Sequence, residues 1–334
     1  MRDNADKIIK INRIRFGGKT DVPGLKRLWK ESFGDEDVYI DRFFERLYRQ
    51  DNVLLEEKDG MLLGASFFLP GRILTKQGWQ EIRYVYALAV YPKYRGQKIA
   101  TKLLDEAVKR YRTPLLTEPA DEGLAERFYE PYGFKRCFYL DRISISGGES
   151  EKGGEPFWNP FAEVGKWSVH SVEAAEYAAL RQKFFQKQGF VEWPLSHIEF
   201  ALSEHRRQAG EAVLAREKAT GREEMLLYAV DDGGVIITET SLSDVEAAEK
   251  LPGILYAIAE SDSEKRVALE CRKAVIKCKS LDMCGQERLK SGALDEYSQR
   301  IFMEKGLKVT RSKQMIGMAY GIEPACGYMN LTLD

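Results

Sequence analysis

One stretch, Tyr84 to Tyr111, constrains the fold of this 334-residue chain more than any other. Tyr84-Val-Tyr-Ala-Leu-Ala-Val90 is a near-continuous apolar run, the pattern of a strand covered on both faces. Pro92 ends it, a short loop carries Arg95 and Gly96, and an apolar-periodic helix runs from about Lys98 to Tyr111. Strand, loop and helix in that succession aim several backbone N–H groups at one point. Such a helix N-terminus binds anions and suits a pyrophosphate. Gly96 and Ala100 keep the backbone uncovered, while Arg95, Lys98 and Lys102 bring positive charge. On these residues alone, an ordinary strand-to-helix turn with surface basic residues accounts for the pattern equally well.

The segments before and after this stretch give an order of elements. Lys10–Phe16 alternates as a strand, and Asp21 ahead of Val22-Pro23 predicts an N-cap for a helix through Leu25, Leu28, Trp29 and Phe33. Asp35 is expected to cap a second helix through Tyr39, Phe43, Phe44 and Leu47. Strands follow at Val53–Lys58 and Leu62–Leu69, joined by an Asp59-Gly60 hairpin signal, and then at Arg83–Val90. After the Lys98–Tyr111 helix come a short strand at Pro114–Thr117, a helix near Gly123–Tyr129 and a strand at Arg136–Ile145. The expected unit is β-α-α-β-β-β-α-β-α-β, a mixed α+β fold with helices on a central sheet.

Residues 146–155, SGGESEKGGE, contain no apolar side chain and read as a linker between a domain at 1–145 and one at 156–334. A similar order returns after it. Helices are expected at Ser171–Gln188 and Ser196–Gln208, a hairpin at Leu226–Val230 and Val235–Thr240, and a helix at Val245–Glu260 capped by Ser243. A strand at Arg266–Cys271, a helix at Ala293–Lys305 and strands near Lys308–Thr310, Met315–Tyr320 and Tyr328–Leu333 complete the prediction.

Composition excludes several classes of function. Lys plus Arg number 51 against 52 Asp plus Glu, so the basic excess that favours nucleic acid or an anionic membrane is missing. No apolar run approaches the roughly 18 residues of a membrane span, and the charged N-terminus lacks a signal-peptide pattern. The five cysteines form no CxxC pair and read as thiols of a cytoplasmic protein. The three histidines, His170, His197 and His205, lie near no cysteine at metal-ligand spacing. No metal is expected. A Ser–His or Cys–His mechanism is disfavoured because residues 1–169 hold no histidine.

Arg95-Gly-Gln-Lys-Ile-Ala100 resembles the acyl-CoA motif of the GCN5-related N-acetyltransferase (GNAT) superfamily, Arg/Gln-x-x-Gly-x-Gly/Ala. It matches at Arg95 and Ala100 and departs at Lys98, where the family has glycine. Ala125-Glu-Arg-Phe-Tyr129-Glu-Pro-Tyr-Gly-Phe134 resembles the family's fourth-helix ending, aromatic-Tyr-x-x-x-Gly-Phe. The resemblance implies acetyl-CoA as co-substrate. Backbone groups of Leu88, Ala89 and Val90 would meet pantetheine, and Arg95, Gly96, Gln97, Lys98, Ile99, Ala100 and Thr101 would hold the pyrophosphate. Tyr129 would be the general acid that protonates the departing thiolate; a phenol of pKa about 10 is protonated at neutral pH and able to donate. The strand position where several members place a basic Glu is Tyr84 here. Glu118 is the alternative on position, followed by Glu81.

The whole arrangement also resembles the enhanced-intracellular-survival branch, with two GNAT-like units in tandem but no third, sterol-carrier-like domain. On that resemblance the second unit, which lacks the motif between Thr240 and Ser261, is degenerate and serves the acceptor pocket or a homo-oligomer interface. The terminal carboxylate, Asp334, is a further base candidate in that branch. The implied reaction is direct attack on the thioester by a small-molecule or peptide amine. A non-catalytic acyl-CoA-binding or regulatory module is the competing expectation. Transfer from aminoacyl-tRNA is a third, opposed by the lack of basic excess.

Overall fold

The computed structural model describes residues 12–147, 165–231, 234–261, 273–279, 307–322 and 329. The chain divides into two compact units. The first is Met1–Arg72, Trp79–Lys135 and Met318–Glu323; the second is Ile73–Gly78, Arg136–Gly317 and Pro324–Asp334.

The first unit begins with β1 (Arg13–Phe16), α1 (Val22–Phe33) and α2 (Asp37–Arg46). Leu25, Leu28 and Trp29 recur on one face of α1, and Ile40, Phe43 and Phe44 on one face of α2. These faces close on each other and on the sheet, with Trp29 and Phe43 rings 4.7 Å apart and Phe43 and Phe67 rings 5.0 Å apart. Both expected aspartate caps are corrected. Asp21 makes no capping bond; its carboxylate takes two hydrogen bonds from Arg15, at 2.6 and 2.9 Å, and one from Gly18 N at 2.7 Å. Asp35 accepts instead from Trp29 Nε1 at 2.6 Å, and Glu36 is the residue ahead of α2. In each case a charged or ring N–H outcompetes the helix amides for the carboxylate.

Next come β2 (Val53–Lys58), β3 (Met61–Thr75) and β4 (Gly78–Val90), then α3 (Ile99–Tyr111) and β5 (Leu115–Thr117). Asp59 and Gly60 both take positive φ, 53° and 75°, as a tight antiparallel hairpin requires. The strand order is β1-β2-β3-β4-β5. β1 and β3 run antiparallel to β2, while β5 runs parallel to β4 after the α3 crossover. A last helical segment follows: α4 (Glu122–Leu124), one π-helical turn (Ala125–Tyr129) and α5 (Glu130–Tyr132). Met318, Ala319 and Tyr320 pair antiparallel with Thr117, Leu116 and Leu115, covering the far side of β5.

The second unit contains β6 (Lys135–Gly147) from Arg136 onward, β7 (Trp167–Ser171), α6 (Ala174–Phe185), β8 (Val191–Glu192) and α7 (Leu195–Arg207). It continues with β9 (Glu211–Glu217), β10 (Glu223–Asp231), β11 (Gly234–Thr240), α8 (Asp244–Ser261), β12 (Lys273–Lys279) and β13 (Leu307–Tyr320) up to Gly317. Its strand order is β6-β12-β11-β10-β9-β7. β12 is parallel to β11 across α8, as β5 is to β4 across α3, and the β9–β10–β11 pairs are antiparallel. Setting aside the two-residue β8, the run from β7 to β12 thus repeats the β-α-α-β-β-β-α-β order of the first unit.

Several boundaries differ from expectation. Ser146 and Gly147 close β6 rather than open a linker; residues 148–155 lie outside the described residues. The two strands expected after residue 308 are one continuous strand, β13. The strand expected at Arg266–Cys271, the helix at Ala293–Lys305 and all but residue 329 of the terminal strand fall outside the described residues. Among the described residues, no helix is long and apolar enough to cross a membrane.

Candidate active site

The site is built where β4 gives way to α3. β4 is paired with β5 only at Arg83↔Leu115 and Tyr84↔Leu116. One residue on, the Thr117 hydroxyl donates to Val85 O at 3.3 Å. Ala87 then adopts φ 48°, a left-handed conformation inside a strand. β5 has ended by this point, so Leu88, Ala89 and Val90 run past the paired stretch.

The chain leaves β4 through a 3₁₀ turn, Pro92–Tyr94, closed by Arg95 N donating to Pro92 O at 3.2 Å. Gly96 at φ 79° and Lys98 at φ 58°, ψ 25° are both left-handed, and Lys98 stands directly ahead of α3. The position where the GNAT motif carries glycine is therefore one where the backbone favours glycine, and Lys98 adopts the same conformation at a cost of about 1–2 kcal/mol. A lysine has no acceptor in its side chain, and Lys98 makes no capping bond to α3. The first α3 amides, of Ile99, Ala100 and Thr101, are thus left without a side-chain cap, and Arg95 to Lys98 are exposed in front of them. Arg95 Nε donates to Val90 O at 3.2 Å, folding the guanidinium back over the loop.

Two residues that sequence reasoning passed over support this geometry. A Cβ on Gly64 in β3 would lie 2.8 Å from Ala89 O and 2.9 Å from Ile99 Cγ2. Only glycine lets the first turn of α3 settle this close to the sheet. Glu56, opposite Gly64 in β2, is fully buried and takes hydrogen bonds from Asn12 Nδ2 at 2.7 Å and Lys102 Nζ at 3.2 Å on its Oε1. Its Oε2 has no hydrogen-bond partner. Lys102 is accordingly engaged by a carboxylate under the helix, whereas Arg95 and Lys98 are exposed directly ahead of α3. The signal for Glu56 in the sequence was an acid directly after the apolar run Val53-Leu54-Leu55. Gly64 gave no local signal.

Tyr129 closes the π-turn and is 5% exposed, its ring 5.2 Å from that of Phe134 and 5.0 Å from that of Phe128. Its carbonyl accepts from both Gly133 N, 3.2 Å, and Phe134 N, 3.0 Å. π-turns inside helices are frequent at functional sites. Of the base candidates, Glu118 follows β5 directly and is half-buried, whereas Glu81 is exposed on β4. Tyr84, at the usual carboxylate position, is 1% exposed and packs in the core. Asp334 lies outside the described residues.

The corresponding helix start in the second unit is built differently. There Ser243 N and Oγ donate to Glu246 Oε2 at 3.1 and 2.8 Å, and Glu246 N donates back to Ser243 Oγ at 3.4 Å. This reciprocal pair caps α8 with the protein's own side chains.

Residues 13–137 match the family model described as an acetyltransferase (GNAT) domain. No curated protein matches the sequence. Among solved structures, a GCN5-related N-acetyltransferase from Anabaena variabilis superposes with a TM-score of 0.62 at 13% identity, over 92% of this chain and 72% of that one. Eis1 from Mycobacterium abscessus gives 0.58 at 11% identity, over 92% and 73%. A GCN5-related N-acetyltransferase from Kribbella flavida gives 0.58 at 16%, over 93% and 71%. At such identities the likeness is one of fold, and its coverage takes in residues of both units. The bent β4 and the open α3 N-terminus both lie inside the segment 13–137 that matches the GNAT acetyltransferase family model.

Proposed function

We propose that the chain is an acetyl-CoA-dependent N-acyltransferase, acting on a small-molecule or peptide amine in the cytoplasm, and that only its first unit binds the donor. The observation that carries this reading is the uncapped N-terminus of α3 behind Arg95, Gly96 and Lys98. Amides, helix dipole and two exposed cations converge there, as a pyrophosphate requires. The pantetheine arm would lie along Leu88, Ala89 and Val90, where β4 has left β5. The amine nitrogen attacks the thioester carbonyl carbon, and backbone N–H groups beside Ala87 stabilise the oxyanion. Collapse of the adduct breaks the C–S bond, and the thiolate takes its proton from the Tyr129 hydroxyl. Glu118 and Asp334 are the two carboxylates proposed to receive the proton from the amine. The capped α8 supports a second unit that is GNAT-like in order but does not hold CoA.

Release of free thiol from acetyl-CoA, measured against polyamines, aminoglycosides, amino acids and peptides, tests the reading. Turnover with at least one amine class is expected, and Tyr129→Phe should lower kcat by about 100-fold or more with CoA affinity unchanged. CoA binding without any turnover would mark a binding module instead. Undiminished thiol release in Tyr129→Phe would remove the general-acid role. Glu118→Gln, and Asp334→Asn combined with a one-residue glycine extension that displaces the terminal carboxylate, separate the two bases, since only loss of the true acceptor abolishes the low-pH limb of the rate profile.

A further inference from the structure

The first unit holds a cavity of about 750 Å³ that includes none of residues 95–101, Glu118 or Tyr129. Its size lies within the ~300–1,000 Å³ of small-molecule sites. Register places it on the sheet face away from α3. Glu56 turns toward α3 and Lys102, so its neighbour Leu55 points to the opposite face, where Arg15 pairs with it and α1 packs. The cavity meets the chain just past β4, at Tyr91, four residues beyond Ala87 and up to about 13 Å away at ~3.3 Å per residue. An amine held there would be far outside the ~3–3.5 Å at which reacting atoms meet.

The cavity has two charged poles. At one, Arg15 donates to Asp21 Oδ1 and Oδ2, Glu57 Oε2 and Phe16 O, so the guanidinium has little left for a ligand. One cation faces two carboxylates there, and the hydrogen bonds from Arg15 hold Asp21 below its ordinary range, hence ionised. At the other pole Arg27 and Lys93 face a single carboxylate, Glu31, around Tyr91. Burial pushes the Tyr91 hydroxyl upward, so it stays neutral. One pole is net negative and the other net positive, with Leu55, Leu62 and Met61 as an apolar floor between. Asp21 and Arg27 are six residues apart along α1, about 9 Å at 1.5 Å per residue. That exceeds the separation of charges in a free α-amino acid. It matches an extended chain of two or three residues at ~3.3–3.6 Å each.

We propose that this cavity is a binding site for a di- or tripeptide with free termini, its ammonium at Asp21 and Glu57 and its carboxylate at Arg27 and Lys93. The site adjoins the acyl-CoA loop at Pro92–Tyr94 but includes none of residues 95–101, and it does not rest on acyl transfer.

Calorimetric titration of the full chain with the tripeptide Ala-Leu-Ala, and with its N-acetylated and C-amidated forms, tests it. Saturable binding of the free peptide is expected, weakened about tenfold or more by blocking either end and undisturbed by saturating CoA. Arg27→Ala and Lys93→Ala, both at exposed positions, should weaken the free peptide but leave the amidated one unaffected. Absence of binding at millimolar peptide, equal affinity of blocked and free forms, or displacement by CoA would each overturn the proposal. None of these outcomes depends on thiol release, so failure here is distinct from failure of the acyltransferase reading.

Discussion

Gly64→Ala tests the packing that sets the first turn of α3. The added methyl would meet Ala89 O at 2.8 Å, Ile99 Cγ2 at 2.9 Å and Val90 Cγ2 at 3.1 Å. The tightest carbon contact, to Ile99 Cγ2, is about 0.6 Å inside the ~3.5 Å optimum. One obstacle is backbone and another belongs to Ile99, which is 2% exposed, so no free rotation relieves it. Overpacking of this kind costs about 1–3 kcal/mol, offset by about 0.5–1 kcal/mol from the loss of glycine's unfolded-state freedom. A net loss of about 1–2 kcal/mol lowers the Tm by about 2–8 °C. The same shift moves Ile99, Ala100 and Thr101, so CoA should bind about five- to tenfold more weakly by calorimetry. Gly24→Ala, within α1, is the control: Leu62 Cδ2 and Arg27 Nη2 would stand at 3.7 and 3.9 Å, ordinary contact distances. It should stabilise by about 0.5 kcal/mol. An unchanged Tm and CoA affinity in Gly64→Ala would refute the claim that Ile99 is pressed onto β3.

Other outcomes follow from the same geometry. Lys98→Gly should stabilise by about 0.5–1 kcal/mol, the left-handed strain removed less glycine's entropy, and so raise the Tm; a lower Tm would show that the lysine side chain holds the loop. In the second unit Arg181 and Glu239 are 1% and 0% exposed and hydrogen-bonded to each other, with Tyr177 donating to the same carboxylate. Arg181→Met should cost about 3–5 kcal/mol in urea melts, with most of it restored by adding Glu239→Leu; a neutral single variant contradicts the pairing. Burial drives Glu246 upward, but hydrogen bonds from Ser243 and Lys250 outweigh it and hold the carboxyl at about 2, below the ordinary 4.5. A depressed carboxylate stabilises fully above its unfolded pKa, and this contribution fades as pH falls from 4.5 toward 2. Glu246→Gln should flatten the stability profile in that window, and an unaltered profile would count against the assignment.

Local pattern was enough for the parts of the fold that local forces decide. The paired positive φ of Asp59 and Gly60, the apolar faces of α1 and α2 and the β4–loop–α3 succession were all legible. Tertiary contacts decided the rest. Asp21 and Asp35 look like caps in sequence, but Arg15 and Trp29 Nε1 claim their carboxylates. The strand expected at Leu62–Leu69 runs on through Pro70-Gly71 to Thr75. Glu211-Ala-Val-Leu-Ala-Arg-Glu217 is composed of good helix formers and is nonetheless β9, drawn into the sheet between β10 and β7. At the site, Arg95–Ala100 announced itself, while Gly64 and Glu56 acquire meaning only when β2, β3 and α3 are stacked.

The most direct test of the account is a calorimetric titration of CoA into the full chain and into Arg95→Glu. One CoA per chain is predicted, with affinity reduced about tenfold or more in the variant, because Arg95 and Lys98 are exposed cations directly before the open amides of α3. Two sites per chain, no saturable binding, or a variant that binds as well as the parent would contradict it.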